Sequence, residues 1–283
     1  MADKDITEKT LEGYNDVFAD IVNGLLFKGK QVLREENLTD AQPFSMYKMD
    51  GKIHEQERDV AKYWMGTGSA GINVRIAFLG LENQSKYEKR MPLRVIGYDG
   101  AAYRAQLSEE NCYPVITLVL YFGDKSWGKS RTLYDVIEVP EEFKPFVNDY
   151  KINLFEIAHL PEEAINYFHS DFKVVVDYFI YRRTNPEYRP VNPDKFKHVD
   201  ELLKMMAAIT HDDRFIEVME GGSPKDMCEL LDRVEEKGIE KGVEQTRIEN
   251  IKSIMKGLKY TAQQAMDLLN ISADDQKKYL AKL

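Results

Sequence analysis

Cysteine is scarce in this chain: among 283 residues only Cys112 and Cys228 carry thiols. Two isolated cysteines exclude a disulfide framework and a cysteine-rich zinc site, and a reducing cytoplasm is the expected compartment. No apolar run approaches the roughly 20 residues that a membrane span requires. The opening Met1-Ala2-Asp3-Lys4-Asp5 is polar, unlike a signal peptide. Excess positive charge is lacking as well, since the formal net charge is −9. That argues against a general polyanion-binding surface, which shows itself as surplus Lys and Arg. It leaves room for a local basic groove within an acidic remainder. The five histidines, His54, His159, His169, His198 and His211, have no metal-ligand spacing and read as structural or exposed.

What the chain does contain is an apolar run that ends abruptly in hydrogen-bonding groups, Asn73-Val-Arg-Ile-Ala-Phe-Leu-Gly-Leu-Glu-Asn-Gln84. Val74, Ile76 and Phe78, with Leu79 and Leu81 among them, suit a strand covered on both faces. Side chains alternate along a strand, so Glu82 and Gln84 share one face. A carboxylate and an amide at the end of a buried strand cost stability unless a metal or a polar network engages them. Upstream, Asp59 enters a second strand-compatible segment, Arg58-Asp59-Val60-Ala61-Lys62-Tyr63-Trp64.

An Asp followed at a distance by Glu-x-Lys, here with Gln84 in the lysine position, resembles the PD-(D/E)xK nuclease superfamily. The blocks Glu82-Asn83-Gln84-Ser85, Met91-Pro92-Leu93-Arg94-Val95-Ile96-Gly97-Tyr98 and Tyr113-Pro114 to Phe122-Gly123 are similar to those of the recombination-promoting nuclease/putative transposase family, Rpn or YhgA-like. The resemblance runs over most of the chain. It implies an α/β fold with a restriction-endonuclease-like mixed-sheet core, α-β-β-β-α-β, followed by a helical C-terminal part. It also implies an acidic residue lent to the metal site by the first helix, for which Asp16 and Asp20 are the available positions. Each reads equally well as a solvated carboxylate.

The order of elements fits that core. Thr7 to Phe27 has the periodicity of an amphipathic helix through Val17, Ile21 and Leu25. Leu33 to Gly51 is irregular, and Asp50-Gly51 is a hairpin signal, making a meander whose members carry Asp59 and then Glu82. Lys89 to Leu107 reads as a helix with Pro92 in its first turn, placing Arg94 within reach of a phosphate or of the site carboxylates, or in a structural ion pair. Pro114 to Phe122 is a second buried strand and Ile152 to Ile157 a third candidate. Helices follow at Pro161 to His169, Phe172 to Arg183 and Phe196 to Thr210, broken by Pro186, Pro190 and Pro193.

Gly221-Gly222-Ser223-Pro224 divides the chain into a nuclease-like unit with its helical extension, 1–220, and a C-terminal helical assembly module, 221–283. Asp226 to Leu258 is a charge-rich helix in which Gly238 and Gly242 share a face; it reads either as admitting another helix, from a partner or a second copy, or as a solvated, partly frayed linker helix. Thr261-Ala262-Gln263-Gln264 is a capping box and Ser272 caps the last helix. Two short helices and a tight turn suggest a helix-turn-helix, but Ala273-Asp274-Asp275 puts carboxylates where DNA would approach, so packing is the preferred role.

Asp59 and Glu82 are hard oxygen ligands suited to Mg²⁺ or Mn²⁺. By resemblance the backbone carbonyl of Asn83 completes the protein shell. Gln84 takes no proton at neutral pH and carries no positive charge, so it orients water at most. The leading expectation is a metal-dependent DNA endonuclease linked by resemblance to recombination or mobile elements, self-associating through its C-terminal helices. The competing expectation is a nuclease fold without catalysis, acting in binding or assembly.

Overall fold

A computed structural model describes residues 11–42, 44–49, 52–68, 73–185, 196–220, 222, 224 and 227–283. Its centre is a five-stranded mixed sheet in the order β1-β4-β5-β6-β7. The members are β1 (Leu38–Asp40), β4 (Val60–Thr67), β5 (Asn73–Gln84), β6 (Val115–Tyr121) and β7 (Asn153–Glu156). The pairs β1–β4 and β4–β5 are antiparallel, whereas β5–β6 and β6–β7 are parallel. A parallel neighbour demands a crossover, and Met91–Arg104 supplies it as helix α2 between β5 and β6. Pro92 sits in the first turn of α2, where its missing N–H costs nothing.

The two faces of the sheet are covered differently. On one face Leu79, Leu81, Leu118 and Leu120 pack in the main core. Its helices are α1 (Asn15–Phe27), α3 (Phe172–Arg182), α4 (Val199–Thr210) and α5 (Arg214–Glu220). Val17, Phe18, Ile21 and Val22 of α1 are buried there with Val175 and Val176 of α3. On the other face Met91 and Val95 of α2 close over Val119 and Tyr121 of β6, with Trp127 and Ile152. The register Glu82↔Val119 therefore places Glu82 under α2, and Asn83↔Leu120 directs Asn83 to the main-core face.

Several expectations are corrected by this arrangement. The helix expected from Thr7 to Phe27 is interrupted: Leu11 and Glu12 are helical, Gly13 and Tyr14 form a turn, and α1 starts at Asn15, while residues 7–10 lie outside the described residues. The stretch read as irregular contains β1 and β2 (Phe44–Met49). The hairpin pairs β2 with β3 (Lys52–Glu57) through Met49↔Lys52, while Asp50-Gly51 itself lies outside the described residues. This hairpin is a separate two-stranded sheet and not part of the meander, so Asp59 stands in the bend between β3 and β4. β5 has the expected bounds, but Val74 and Ile76 are each 39% exposed. Its partners on β6 start only at Phe78, so the first residues of β5 project beyond the parallel half of the sheet. Pro161 to His169 holds a 3-10 turn, Glu162–Tyr167, in place of an α-helix. Pro186, Pro190 and Pro193 lie outside the described residues.

The proposed boundary includes Gly221 and Ser223, which are also outside the described residues. Beyond it α6 (Met227–Leu258) enters the main core with Leu230 and Val234. Gly238 faces α5: a Cβ there would stand 2.6 Å from Arg214 Nη1, whereas one at Gly242 would meet nothing. The chain then folds back in α7 (Ala262–Leu268) and α8 (Ala273–Leu280), burying Ile248, Ile251, Ala265, Met266 and Tyr279 in a core of their own. The capping box at Thr261 and Gln264 is formed, and Ser272 Oγ accepts from Asp275 N. Among the described residues no helix is long and apolar enough to cross a membrane.

Candidate metal site at the end of β5

The carboxyl end of β5 gathers most of the residues singled out in the sequence. Glu82 is 1% exposed. Its Oε1 accepts from Gln84 Nε2 at 3.0 Å and from Arg94 Nη2 at 2.5 Å. The Glu82–Gln84 contact is the direct consequence of strand alternation. Arg94 reaches the carboxylate from the first turn of α2, and its Nη2 also donates to Tyr98 Oη at 2.9 Å. Of the roles posed for Arg94, the contact present is an ion pair with Glu82.

Asp59 is fixed by the neighbouring strand. Its backbone N–H donates to Leu81 O at 3.1 Å, and its Oδ2 accepts from Asn83 N at 2.5 Å. The carboxylate is thus clamped at the mouth of β5. Burial, then the Asp59 charge, raises the pKa of Glu82 to about 8, with Arg94 opposing. Tyr98 is pushed up to about 12, first by burial and then by Glu82. Burial and a neighbouring like charge thus both disfavour the ionised form of Glu82.

A deeper network holds this geometry from behind. Arg58, adjacent to Asp59, is 3% exposed and donates to Asp99 Oδ1 at 2.8 Å and to Thr117 Oγ1 at 3.0 Å. Thr117 Oγ1 in turn donates to Asp99 Oδ1 at 2.6 Å, and Tyr150 donates to Asp99 Oδ2. Arg58 passes over Gly80, where a Cβ would lie 2.5 Å from Arg58 Cδ. The network ties the bend carrying Asp59 to the helix carrying Arg94.

The two first-helix candidates do not join the site. Asp16 binds Lys197 Nζ at 2.8 Å and His198 Nε2 at 3.1 Å. Burial would raise its pKa, but these partners bring it below the ordinary value. Asp20 accepts from the backbone N–H groups of His169 and Ser170, at 2.9 and 2.8 Å, organising the approach to α3. The acid that does arrive is Glu12, just ahead of α1 and fully buried, whose Oε2 accepts from Asn83 Nδ2 at 2.7 Å. Sequence reasoning named only Asp16 and Asp20, because the apolar periodicity of the helix is carried by Val17, Ile21 and Leu25, all C-terminal to Glu12. The signal was Gly13, a helix breaker that detaches Glu12 from that face.

Among the described residues no group of three or more His, Cys, Asp or Glu is gathered closely enough to hold a metal ion. The carboxylates that could meet an ion here are two, Asp59 and Glu82, so further donors would have to be amide oxygen or water. Glu82 Oε2 is buried and makes no hydrogen bond among the described residues, and the same holds for Asn83 Oδ1. Buried acceptors left in this state are costly, and a hard cation is a partner that would satisfy the carboxylate. The residues present fit Mg²⁺ or Mn²⁺ on that ground, whereas the Asn83 side chain is turned to the main-core face, where its Nδ2 donates to Glu12.

No curated protein and no solved structure matches this chain. Residues 71–185, which carry Glu82, Asn83, Gln84 and Arg94 but not Asp59 or Glu12, match the family described as "Putative transposase, YhgA-like".

Proposed function

We propose that this protein is a Mg²⁺- or Mn²⁺-dependent DNA endonuclease with a restriction-endonuclease-like core, serving a recombination or mobile-element process. The observation that carries the reading is Glu82: a fully buried carboxylate beside Asp59 with one oxygen held and the other, Oε2, left over. Asp59 and Glu82 would hold the ion, with the main-chain carbonyl of Asn83 as third protein donor. Bound there, a divalent cation neutralises phosphate charge and lowers the pKa of water.

The chain's own residues then have definable tasks. Gln84 and Arg94 fix Glu82 Oε1, so Oε2 keeps one orientation. Asn83 N–H fixes Asp59 Oδ2. Gln84 supplies an amide where the superfamily has an ammonium, and the positive charge at this strand end comes from Arg94 of α2 instead. A guanidinium placed there offsets charge that develops on a phosphodiester during hydrolysis.

Supercoiled-plasmid nicking with Mg²⁺, Mn²⁺ or chelator, beside Asp59→Ala and Glu82→Ala, tests the proposal. Metal-dependent nicking lost in both variants is expected; nicking that both variants retain would overturn the site. A second reading, a binding or assembly protein that keeps the fold without catalysis, is favoured by Gln84 and by the Arg94–Glu82 ion pair. Under that reading neither metal raises the melting temperature, because nothing binds the folded state preferentially.

Self-association through the C-terminal helices is part of the proposal. On α6, Ile239 is 60% and Val243 46% exposed on either side of Gly242. They form an apolar strip that a second copy would cover. Light scattering of the full chain, compared with an Ile239→Lys/Val243→Lys variant, decides this point.

A further inference from the structure

A nucleic-acid strand presented to Asp59 and Glu82 must run on across the surface of the protein. Two clefts differ in charge. One, of about 310 Å³, is walled by Asp16, Asp20, Glu35 and Glu36 against a single Arg34 and repels phosphate. The other, of about 570 Å³, opens where β5 and β6 end, since Ser85 and Lys86 follow Gln84 directly and Phe122 N donates to Gln84 O at 2.8 Å. Parallel strands present their ligand crevices at this end.

The second cleft is lined by Lys86, Arg182, Arg183 and His211, all exposed, over a floor of Tyr178 and Phe179. Its acids are Asp124 and Asp212. Asp212 is already engaged by Arg214 at 2.6 Å. A surplus of positive charge thus stands just past the end of β5, on the main-core side of the sheet, in a chain whose net charge is −9. The cations are also held in place: Arg182 lies 5.8 Å from the Tyr178 ring centre, and Arg183 Nε donates to Ala158 O at 2.9 Å. Side chains anchored in this way lose less entropy when they meet a phosphate.

We infer that this cleft is a phosphate-backbone track, in which Lys86, Arg182 and Arg183 grip the nucleic-acid strand beyond the phosphodiester presented to Asp59 and Glu82. The inference rests on the nuclease reading for its substrate class. It differs from that reading in its residues, which follow β5 and close α3.

The test uses the full chain with Ca²⁺ in place of Mg²⁺, and measures anisotropy of a short labelled duplex, and of its single strand, across a salt series. Lys86→Glu and Arg182→Glu/Arg183→Glu are each expected to weaken binding about tenfold or more. The slope of log affinity against log salt should become shallower by about one for each phosphate contact removed. The Mn²⁺-induced rise in melting temperature should match that of the parent. Parental affinity and slope in both variants would overturn the inference. Because Arg183 also holds Ala158, the double variant could lose stability; Lys86→Glu, on an exposed loop residue, then decides alone. A parent that binds duplex but never nicks plasmid removes the nuclease and leaves the track. A parent that nicks, with both variants binding at parental affinity, removes the track and leaves the nuclease.

Discussion

Arg94 Nη2 stands 2.5 Å from Glu82 Oε1, bringing a guanidinium from α2 to a carboxylate at the end of β5. The Arg94 side chain is 41% exposed and that of Glu82 only 2%, so the arginine is the solvated partner of a desolvated acid. Arg94→Ala should therefore destabilise the metal-free protein at pH 8, where Glu82 is forced toward ionisation without a counter-charge. At pH 5 Glu82 binds a proton instead and the loss should be small. Melting temperatures of the two proteins at both pH values check this; an equal loss at both would show that packing and not charge holds the contact.

Glu82 itself gives the metal-free chain an unusual pH profile. Its folded-state pKa of about 8 lies above the ordinary 4.5. The folded state thus holds a proton that the unfolded state has released between these values, and the sign of linkage makes this contribution fall as pH rises. The contribution is full below the unfolded value and lost as pH passes through the folded one. Glu82→Gln should flatten the decline and raise metal-free stability near pH 8, while abolishing the Mn²⁺ shift. Urea unfolding across that pH range, with chelator present, would show it.

The Arg58–Asp99 pair is buried on both sides, with side chains 4% and 7% exposed. Removing one partner strands the other charge, so Arg58→Met or Asp99→Leu should cost about 3–5 kcal/mol. The double variant should cost less than the sum of the two. Gly80→Ala strikes the same network, because its Cβ would displace Arg58. Equilibrium unfolding of the four proteins gives the coupling directly, and strict additivity would argue against a shared network.

The acids near the first helix should separate cleanly. Glu12→Gln is expected to reduce nicking, since its Oε2 orients Asn83 beside Asp59. Asp16→Asn should leave nicking and Mn²⁺ affinity intact. Asp20→Ala removes the acceptor for His169 N, Ser170 N and Ser170 Oγ and should lower the melting temperature with Mn²⁺ affinity unchanged. Nicking lost in Asp16→Asn alone would reverse this assignment.

Truncation should show where the fold ends. A chain stopped at Glu220 loses Leu230 and Val234 from the main core and should be markedly less stable. One stopped at Val243 keeps both, sheds only the small core from Ile248 to Tyr279, and should melt as the full chain does. Circular dichroism melts of the two truncations would decide, and equal loss of stability in both would mean the terminal helices brace the main core.

What the sequence determined is what neighbouring residues encode among themselves. The run from Asn73 to Gln84 sets the bounds of β5, because strand propensity and burial act along the segment. Alternation alone puts Glu82 and Gln84 in contact. Pro92 marks the start of α2, and Thr261 with Gln264 marks that of α7, since caps are local hydrogen bonds. Tertiary structure decided everything that depends on chain segments far apart. Register with β6 left Val74 and Ile76 exposed while burying Leu81. The turn at Gly13 sent Glu12 to Asn83, 71 residues away, and gave Asp16 and Asp20 to Lys197, His198, His169 and Ser170. α5 claimed the Gly238 face that a partner helix was expected to use. Periodicity states which side of an element is apolar; only the packed arrangement settles which element covers it, because that choice is made by the summed burial of the whole chain.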